Sequence, residues 1–482
     1  MNMKIIFRLL SMLLLFLCVP LLVCALIAVI CSEPWSNVLA FLIPVGAAIL
    51  FFLLIHFGFG QRGIPALASQ SGFLFVALAW ICASVLGCIP FMAADVIPDF
   101  TQAFFETMGG FTTTGVSVLA DAGSLPHSLY FWKVLTNWMG GMGIVVLTVA
   151  IFPLLGFGGL FLMEAESPGP TVNKVSPRIA KSAKILWLMY IAFTMALALL
   201  LVVGGFPPFE ALTRAMLTVS TGGCSAGAAS AGYYSPVYVK IILMIFMLLA
   251  GMSFPLQYKL LRGQFRDLAR DSEWRVYLSI FILMTLFISF DFLSLGLYGG
   301  EGLLNASFHV ASFLSTTGFC TQDFSAWGTL AQSLLLILVF IGGCSGSASG
   351  GIKVIRILTM FKMTITEMKY LVHPRGVFGV FVSGQYLKKN IVYNCAALVF
   401  LYFMTWVAVA IVVASGGYDI VTSFTTSLAF LSNTGVGFGL AAGGNFGFLP
   451  SYIMWTLNVA MLIGRLEVYT FLVIFTPTFW KR

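Results

Sequence analysis

The stretch Leu314-Ser315-Thr316-Thr317-Gly318-Phe319 decides how this chain is read. Three others echo it: Phe111-Thr112-Thr113-Thr114-Gly115-Val116, Val219-Ser220-Thr221-Gly222-Gly223 and Leu431-Ser432-Asn433-Thr434-Gly435-Val436. Each follows a short amphipathic segment and precedes a long apolar one. A single Thr-Gly is a common turn dipeptide, but four copies in the same helical context are far more specific. Four inward-folding loops can surround one axis and turn their carbonyl oxygens toward an ion. Glycine suits such a loop because it takes positive φ without a steric penalty.

Composition sets the solvent in which this happens. The 482 residues are 60% hydrophobic and only 9% charged, with a mean hydropathy of +1.01. That is too apolar for water-soluble domains and fits a multi-pass membrane protein. The net charge of +8 does not point to nucleic acid, because most Lys and Arg gather in a few loops: Arg62; Lys174 to Lys184; Lys259 to Arg275; Lys353 to Lys389. The alternate loops carry Glu33, Asp95, Asp99, Asp121, Glu301, Asp323 and Asp419. By the positive-inside rule both termini and the basic loops are expected in the cytoplasm. Nine Cys form no CxxC pair, and His56, His127, His309 and His373 are isolated. Buried thiols are the expectation, with no disulfide framework or zinc site.

The chain opens with an apolar run, Leu9 to Cys31, longer than the core of a signal peptide and read as a retained helix. A second run, about Val38 to Phe57, completes an N-terminal hairpin. From Gly72 a unit of helix, short helix and helix appears four times. Its first copy runs about Gly72–Met92, Phe100–Phe111 and Leu129–Leu155; its second, Ile185–Phe206, Phe209–Val219 and Val237–Leu261. The third is Val276–Tyr298, Leu303–Leu314 and an inner helix from Leu330; the fourth, Ile391–Val413, Ile420–Leu431 and Phe448–Phe475. A 12-residue helix such as Phe100–Phe111 spans about 18 Å, too short for a hydrocarbon core of roughly 30 Å. It is expected to re-enter from outside, with irregular backbone tolerated only where protein or a water-filled cavity surrounds it. The fold class expected is therefore all-α and polytopic: four helix–pore-helix–helix repeats in a pseudo-four-fold core, plus the hairpin. The expected divisions are 1–66, 67–163, 164–262, 263–387 and 388–482. All four units point the same way, which excludes inverted repeats.

The third inner helix is interrupted by Gly342-Gly343-Cys344-Ser345-Gly346-Ser347-Ala348-Ser349-Gly350-Gly351. Small residues at such spacing also serve close helix packing. Five glycines in ten positions, each costing about 1 kcal/mol of helix propensity, favour a broken segment crossing the pore. Aligning the inner helices on a central glycine sets Arg465 in the place of Met142, Met252 and Cys344. A charge at such depth faces a cavity or a partner; a salt bridge or snorkelling to the inner interface is the alternative. Glu467 is a poor intrahelical partner for it, because residues two apart do not face one another.

These features together resemble the TrkH branch of the Trk/Ktr/HKT superfamily of potassium transporters, over the full length of the chain. The resemblance rests on the four Thr-Gly loops, the N-terminal hairpin, the break at Gly342 to Gly351, and Arg465. It implies a single-chain pseudo-tetrameric pore in the inner membrane of a bacterium, assembled as a homodimer. It also implies a cytoplasmic TrkA-type regulatory ring, with nucleotide bound by that partner and no cofactor in this chain. The ion is expected at Thr113, Thr114, Gly115 and Val116; at Ser220, Thr221, Gly222 and Gly223; at Thr316, Thr317, Gly318 and Phe319; and at Asn433, Thr434, Gly435 and Val436. The expected gate comprises Gly342, Gly343, Ser345, Gly346, Ser347, Gly350, Gly351 and Lys353, with Arg465 beneath the filter. Serine in place of a filter glycine marks sodium-preferring relatives; none of the four glycines is replaced, which favours potassium.

Two other readings carry weight. An intramembrane enzyme would need a nucleophile–base pair or metal ligands, and Asp291, Lys353, Arg465 and Glu467 suggest neither. Proton- or sodium-coupled symport would need an ionisable group on the path; Asp291 is the one acid inside a first helix, and its expected place near the outer interface favours a structural role.

Overall fold

A computed structural model of the chain describes residues 3–59, 69–119, 122–143, 179–223, 236–294 and 301–480. Among these, six helices are long and apolar enough to cross a bilayer. Two form the N-terminal hairpin, Met3–Ile30 and Trp35–Phe59. The other four open the repeats: Ser69–Ala93, Ile179–Val203, Ser272–Ser294 and Lys389–Ala414. Their outward faces are bare apolar side chains, Val203 being 78% exposed, as lipid-facing surfaces are in a multi-pass membrane protein. The hairpin is tied to the first repeat by Glu33, which accepts hydrogen bonds from Ser128 N at 2.9 Å and Ser128 Oγ at 2.6 Å.

The short helices are Phe100–Phe111, Pro208–Val219, Gly302–Leu314 and Ile420–Leu431. Asp99 and Asp419 start two of them by accepting from Gln102 N and Thr422 N, satisfying N–H groups that the first turn leaves open. Proline at the start of Pro208–Val219 does the same by removing a donor. Each inner helix packs against the short helix of the following repeat, and the fourth packs against the first, closing a ring.

The inner helices are shorter than expected. They run His127–Gly141, Val237–Ala250, Thr329–Ile341 and Ser451–Arg465, so all four stop at one level and not only the third. The second bends by 109° into Phe254–Leu261, and the fourth by 113° into Tyr469–Phe475. Gly251 and the proline in the first turn of Phe254–Leu261 account for the first bend. At the second, Glu467 and Val468 take positive φ of 55° and 44°. The expected continuation of the first inner helix to Leu155 lies outside the described residues, as do Arg62, Asp121, Lys174 and Arg178. After the third break the chain resumes as Val354–Val372 and turns through a two-stranded hairpin, Phe381–Val382 with Gln385–Tyr386.

Counting from the residue before each inner helix, Pro126, Pro236, Gly328 and Pro450, Gly464 matches Gly140, Ala250 and Gly342. Packing agrees: an added Cβ on Gly140 or Gly464 would collide with the backbone oxygen of Phe111 or Leu431, the same place in their own loops. Arg465 therefore stands where the other repeats have Gly141, Gly251 and Gly343, one position from the expected alignment.

Candidate ion path and gate

Each short helix runs into a loop with the same backbone signature. Thr113, Thr221, Thr316 and Asn433 have φ of 57°, 53°, 56° and 56°; two residues on, Gly115, Gly223, Gly318 and Gly435 have 69°, 51°, 77° and 72°. This corrects the second repeat. Gly223, not Gly222, is the counterpart of the three loop glycines, and Gly222 takes the place of Thr114, Thr317 and Thr434. Ser220 accordingly matches Thr112, Ser315 and Ser432, one step below the residues expected to face an ion. Thr-Gly-Gly hid the shift because either glycine completes the motif.

The four loops meet in order. A Cβ added to Gly115 would collide with Gly222 O, and one on Gly223 with Thr317 O. On Gly318 it would lie 2.5 Å from Thr434 O, and on Gly435 it would collide with Thr114 O. The four carbonyls thus close a cycle with no room for a side chain between neighbours. Hydroxyls brace the loops from below: Thr112 Oγ1 with Thr114 Oγ1 at 2.9 Å, Ser315 Oγ with Thr317 Oγ1 at 2.7 Å, and Ser432 Oγ with Thr434 Oγ1 at 2.8 Å. In the second repeat Ser220 Oγ accepts from Gly222 N at 3.3 Å. Val116, Phe319 and Val436, the residues after the loop glycines, are buried.

The small-residue break lies directly under this ring. Its ends are joined: Lys353 N donates to Ile341 O at 2.9 Å and Val354 N to Gly343 O at 3.0 Å. Gly342, Gly346 and Gly351 have φ of 72°, 72° and 75°, and Lys353 has 85°, so a continuous packed helix is ruled out. The excursion docks on the third and fourth loops, Gly350 N donating to Thr316 Oγ1 at 2.7 Å and Gly351 N to Ser432 O at 3.1 Å. It also leans on the second inner helix, Cys344 N donating to Gly251 O at 2.8 Å and Phe254 N to Gly346 O at 3.0 Å. Lys353 Nζ donates to Ser349 O, which ties the end of the break back onto it. Ser347 Oγ bonds Cys344 O and Ser349 Oγ, both at 2.6 Å.

Arg465 spans the junction. Its guanidinium donates to Ala348 O at 3.0 Å, to Thr113 Oγ1 at 3.3 Å, to Gly141 O at 3.1 Å and to Gly140 O. The fork joins the break to the first loop and to the end of the first inner helix. Its neighbour Glu467 pairs instead with the buried Arg356, which also donates to Ile352 O at 3.0 Å. A cavity of about 250 Å³ opens beneath, bordered by Ser253, Glu273, Ser345, Asn433, Arg465 and Glu467.

Sequence reasoning missed Glu273. Its Oε1 accepts from Ser345 N at 2.6 Å and Ile355 N at 3.2 Å, gripping the break and the helix that follows it from 72 and 82 residues away. It missed Arg356 as well, and the buried pair Glu106–Lys133 behind the first loop, Nζ to Oε1 at 2.5 Å. A signal existed for Arg356, Glu106 and Lys133, each a charge inside an apolar segment, which demands a partner; Glu273, at the start of its helix among charged residues, gave none.

A model of the TrkH family, described as cation transport protein, matches residues 40–482. The Trk system potassium uptake protein TrkH of Escherichia coli K12 is 38% identical over 422 residues, covering 86% of this chain and 87% of that protein. TrkH of Halomonas elongata is 35% identical over an alignment 495 positions long that covers 100% of both chains. The crystal structure of the potassium transporter TrkH from Vibrio parahaemolyticus superposes with a TM-score of 0.87 at 33% identity, covering 100% of each chain. Alike in sequence and in fold along nearly its whole length, the chain belongs to the TrkH family of cation transport proteins.

Proposed function

We propose that the chain conducts potassium into the cell through a channel-like path formed by its four loops. The observation that carries this reading is the closed cycle of loop glycines and neighbouring carbonyls at Gly115, Gly223, Gly318 and Gly435. A ring of backbone oxygens replaces the hydration shell of an ion with fixed dipoles. The path residues are Thr113, Thr114, Gly115 and Val116 with their counterparts Thr221 to Gly223, Thr316 to Phe319 and Asn433 to Val436; Ser220 braces them. The printed names of relatives, potassium uptake proteins, support the choice of ion.

The break from Gly342 to Gly351 is the gate in its closed position, latched by Arg465 and Lys353. Opening it requires work from outside the membrane, and a cytoplasmic TrkA-type nucleotide-binding ring acting on a homodimer supplies it in this account. Both termini face the cytoplasm, and the repeats divide at 66/67, 163/164, 262/263 and 387/388.

Rubidium uptake into proteoliposomes at clamped voltage, with pH and sodium varied independently, tests the reading. Uptake set by voltage and indifferent to both gradients supports a channel-like path. Uptake that follows the proton or sodium gradient supports symport instead.

A further inference from the structure

Glu106 and Lys133 are the most deeply buried ion pair among the described residues, with side chains 0% and 4% exposed. A buried pair is weak evidence for stability, because desolvation offsets most of its attraction. Its geometry points to another task. Glu106 Oε2 accepts from Val118 N at 2.8 Å, and Ser117 Oγ donates to Glu106 Oε1 at 3.2 Å. Lys133 Nζ donates to the same Ser117 Oγ at 2.8 Å, and Leu119 N donates to it at 3.1 Å. The pair thus holds the segment that climbs outward from Gly115.

Two other repeats hold the corresponding residue, three beyond the loop glycine, by neutral means. Phe438 N donates to Thr425 Oγ1 at 2.9 Å. Thr321 Oγ1 donates to Asn305 Oδ1 at 3.1 Å and lies 3.5 Å from His309 Nδ1. Glu106 and His309 occupy the same place, nine residues before Gly115 and Gly318. The second repeat's segment lies outside the described residues.

The first-repeat anchor differs in reach as well as in charge. Ser117 also pairs with the outward segment of the fourth repeat: Phe446 N donates to Ser117 O at 2.8 Å, and Ser117 N to Gly444 O at 3.4 Å. The pair therefore fixes the junction at which the last repeat meets the first.

We propose that Glu106 and Lys133 are positioning residues for ion discrimination: they hold Ser117 and Val118 so that the outer ends of the first and fourth loops keep their spacing. This rests on the four loops being the ion path. The decisive property is the acceptor that Glu106 offers Val118 N, with Lys133 there to keep that acceptor in place.

The test uses the full chain in proteoliposomes, with rubidium uptake measured against sodium competition and normalised to folded protein. Glu106→Leu with Lys133→Met removes the anchor without leaving a lone buried charge. Glu106→Gln with Lys133→Met removes the charges but keeps an acceptor for Val118 N. The first is expected to lose discrimination by about tenfold and the second to stay within about twofold of the parent, the range a hydrogen bond to a charged group commands. Equal losses in both doubles, or unchanged discrimination in the Leu/Met double, overturn the proposal. If the Leu/Met double does not fold, Glu106→Met with Lys133→Met, closer in shape to the parent and equally without an acceptor for Val118 N, decides: a several-fold loss supports the anchor and no change overturns it. Gly318→Ser, measured in parallel, separates the two readings. Relaxed discrimination there with none in the anchor variants removes the anchor alone, whereas no change in either removes the ion path and the anchor with it.

Discussion

Arg465 donates to the backbone oxygen of Ala348 at 3.0 Å, joining the end of the fourth inner helix to the middle of the break in the third, 117 residues earlier. The same side chain reaches Thr113 in the first loop. One residue therefore touches the proposed gate and the ring above it, and no glycine at that position could do either.

Arg465→Ala is expected to raise uptake per molecule. A hydrogen bond from a charged donor contributes about 1.5–3 kcal/mol, so losing the one to Ala348 shifts the closed-to-open ratio at least tenfold. The charge adds to this: at roughly 6 Å from a monovalent cation and an effective dielectric near 20, repulsion is about 3 kcal/mol before screening. Arg465→Lys separates the two effects, since an ammonium keeps the field and loses the planar fork. Proteoliposome uptake normalised to reconstituted protein gives the answer; an unchanged rate in the Ala variant removes Arg465 from the gate.

Thr316→Val tests whether the break is docked on the ring. The substitution keeps the branched shape and leaves Gly350 N without its acceptor at 2.7 Å, at a cost of about 1–3 kcal/mol to the closed form. Uptake should rise roughly tenfold, and Thr316→Ser, which keeps the hydroxyl, should stay near the parent. Equal uptake in the Val and Ser variants contradicts the docking.

The register of the second loop makes its own prediction. Gly223→Ala meets a positive φ of 51° and the backbone oxygen of Thr317, a left-handed cost of about 1–2 kcal/mol before any clash. Gly222→Ala has no positive φ to meet, and its nearest neighbour is the Asn137 side chain, whose Oδ1 would lie 2.5 Å from the new Cβ. Asn137→Gly should therefore rescue folding and uptake of Gly222→Ala and leave Gly223→Ala defective. Rescue of both, or of neither, refutes the assigned register.

Arg356 and Glu467 should be inseparable. Removing one partner of a buried pair leaves a charge uncompensated and destabilises by about 3–5 kcal/mol. Thermal unfolding in detergent should drop in Arg356→Met and in Glu467→Gln, and recover largely in the double variant. Single variants as stable as the parent show that the pair carries no energetic weight.

The repeats, the short helices and the four loops were legible because each depends on local pattern: apolar length, turn glycine, and segments too short to span. What escaped the sequence was set by contacts between distant segments. Gly222 and Gly223 differ only in backbone torsion, and that torsion follows from the neighbouring loop. Lys133 and Lys240 lie inside inner helices and so fell outside a reading that sorted cations by loop; each finds an acid, Glu106 or Glu301, at 2.5 Å. Arg465 was recognisable as a buried charge, but its alignment slipped by one because a glycine precedes it where the other repeats put a glycine in its place. Glu273 sits at the start of a spanning helix, where an acid suits the helix dipole and attracts no notice. Only the folded chain brings Ser345 and Ile355 to it.

The central claim is that the four loops hold the ion. Rubidium scatters anomalously and takes potassium's place, so a crystal of the protein grown in rubidium, with data collected at the rubidium edge, tests it directly. The account predicts an anomalous peak on the axis of the ring, within coordination distance of the oxygens of Thr114, Gly222, Thr317 and Thr434. A ring empty of rubidium, with the ion held by side-chain carboxylates elsewhere in the membrane domain, contradicts it.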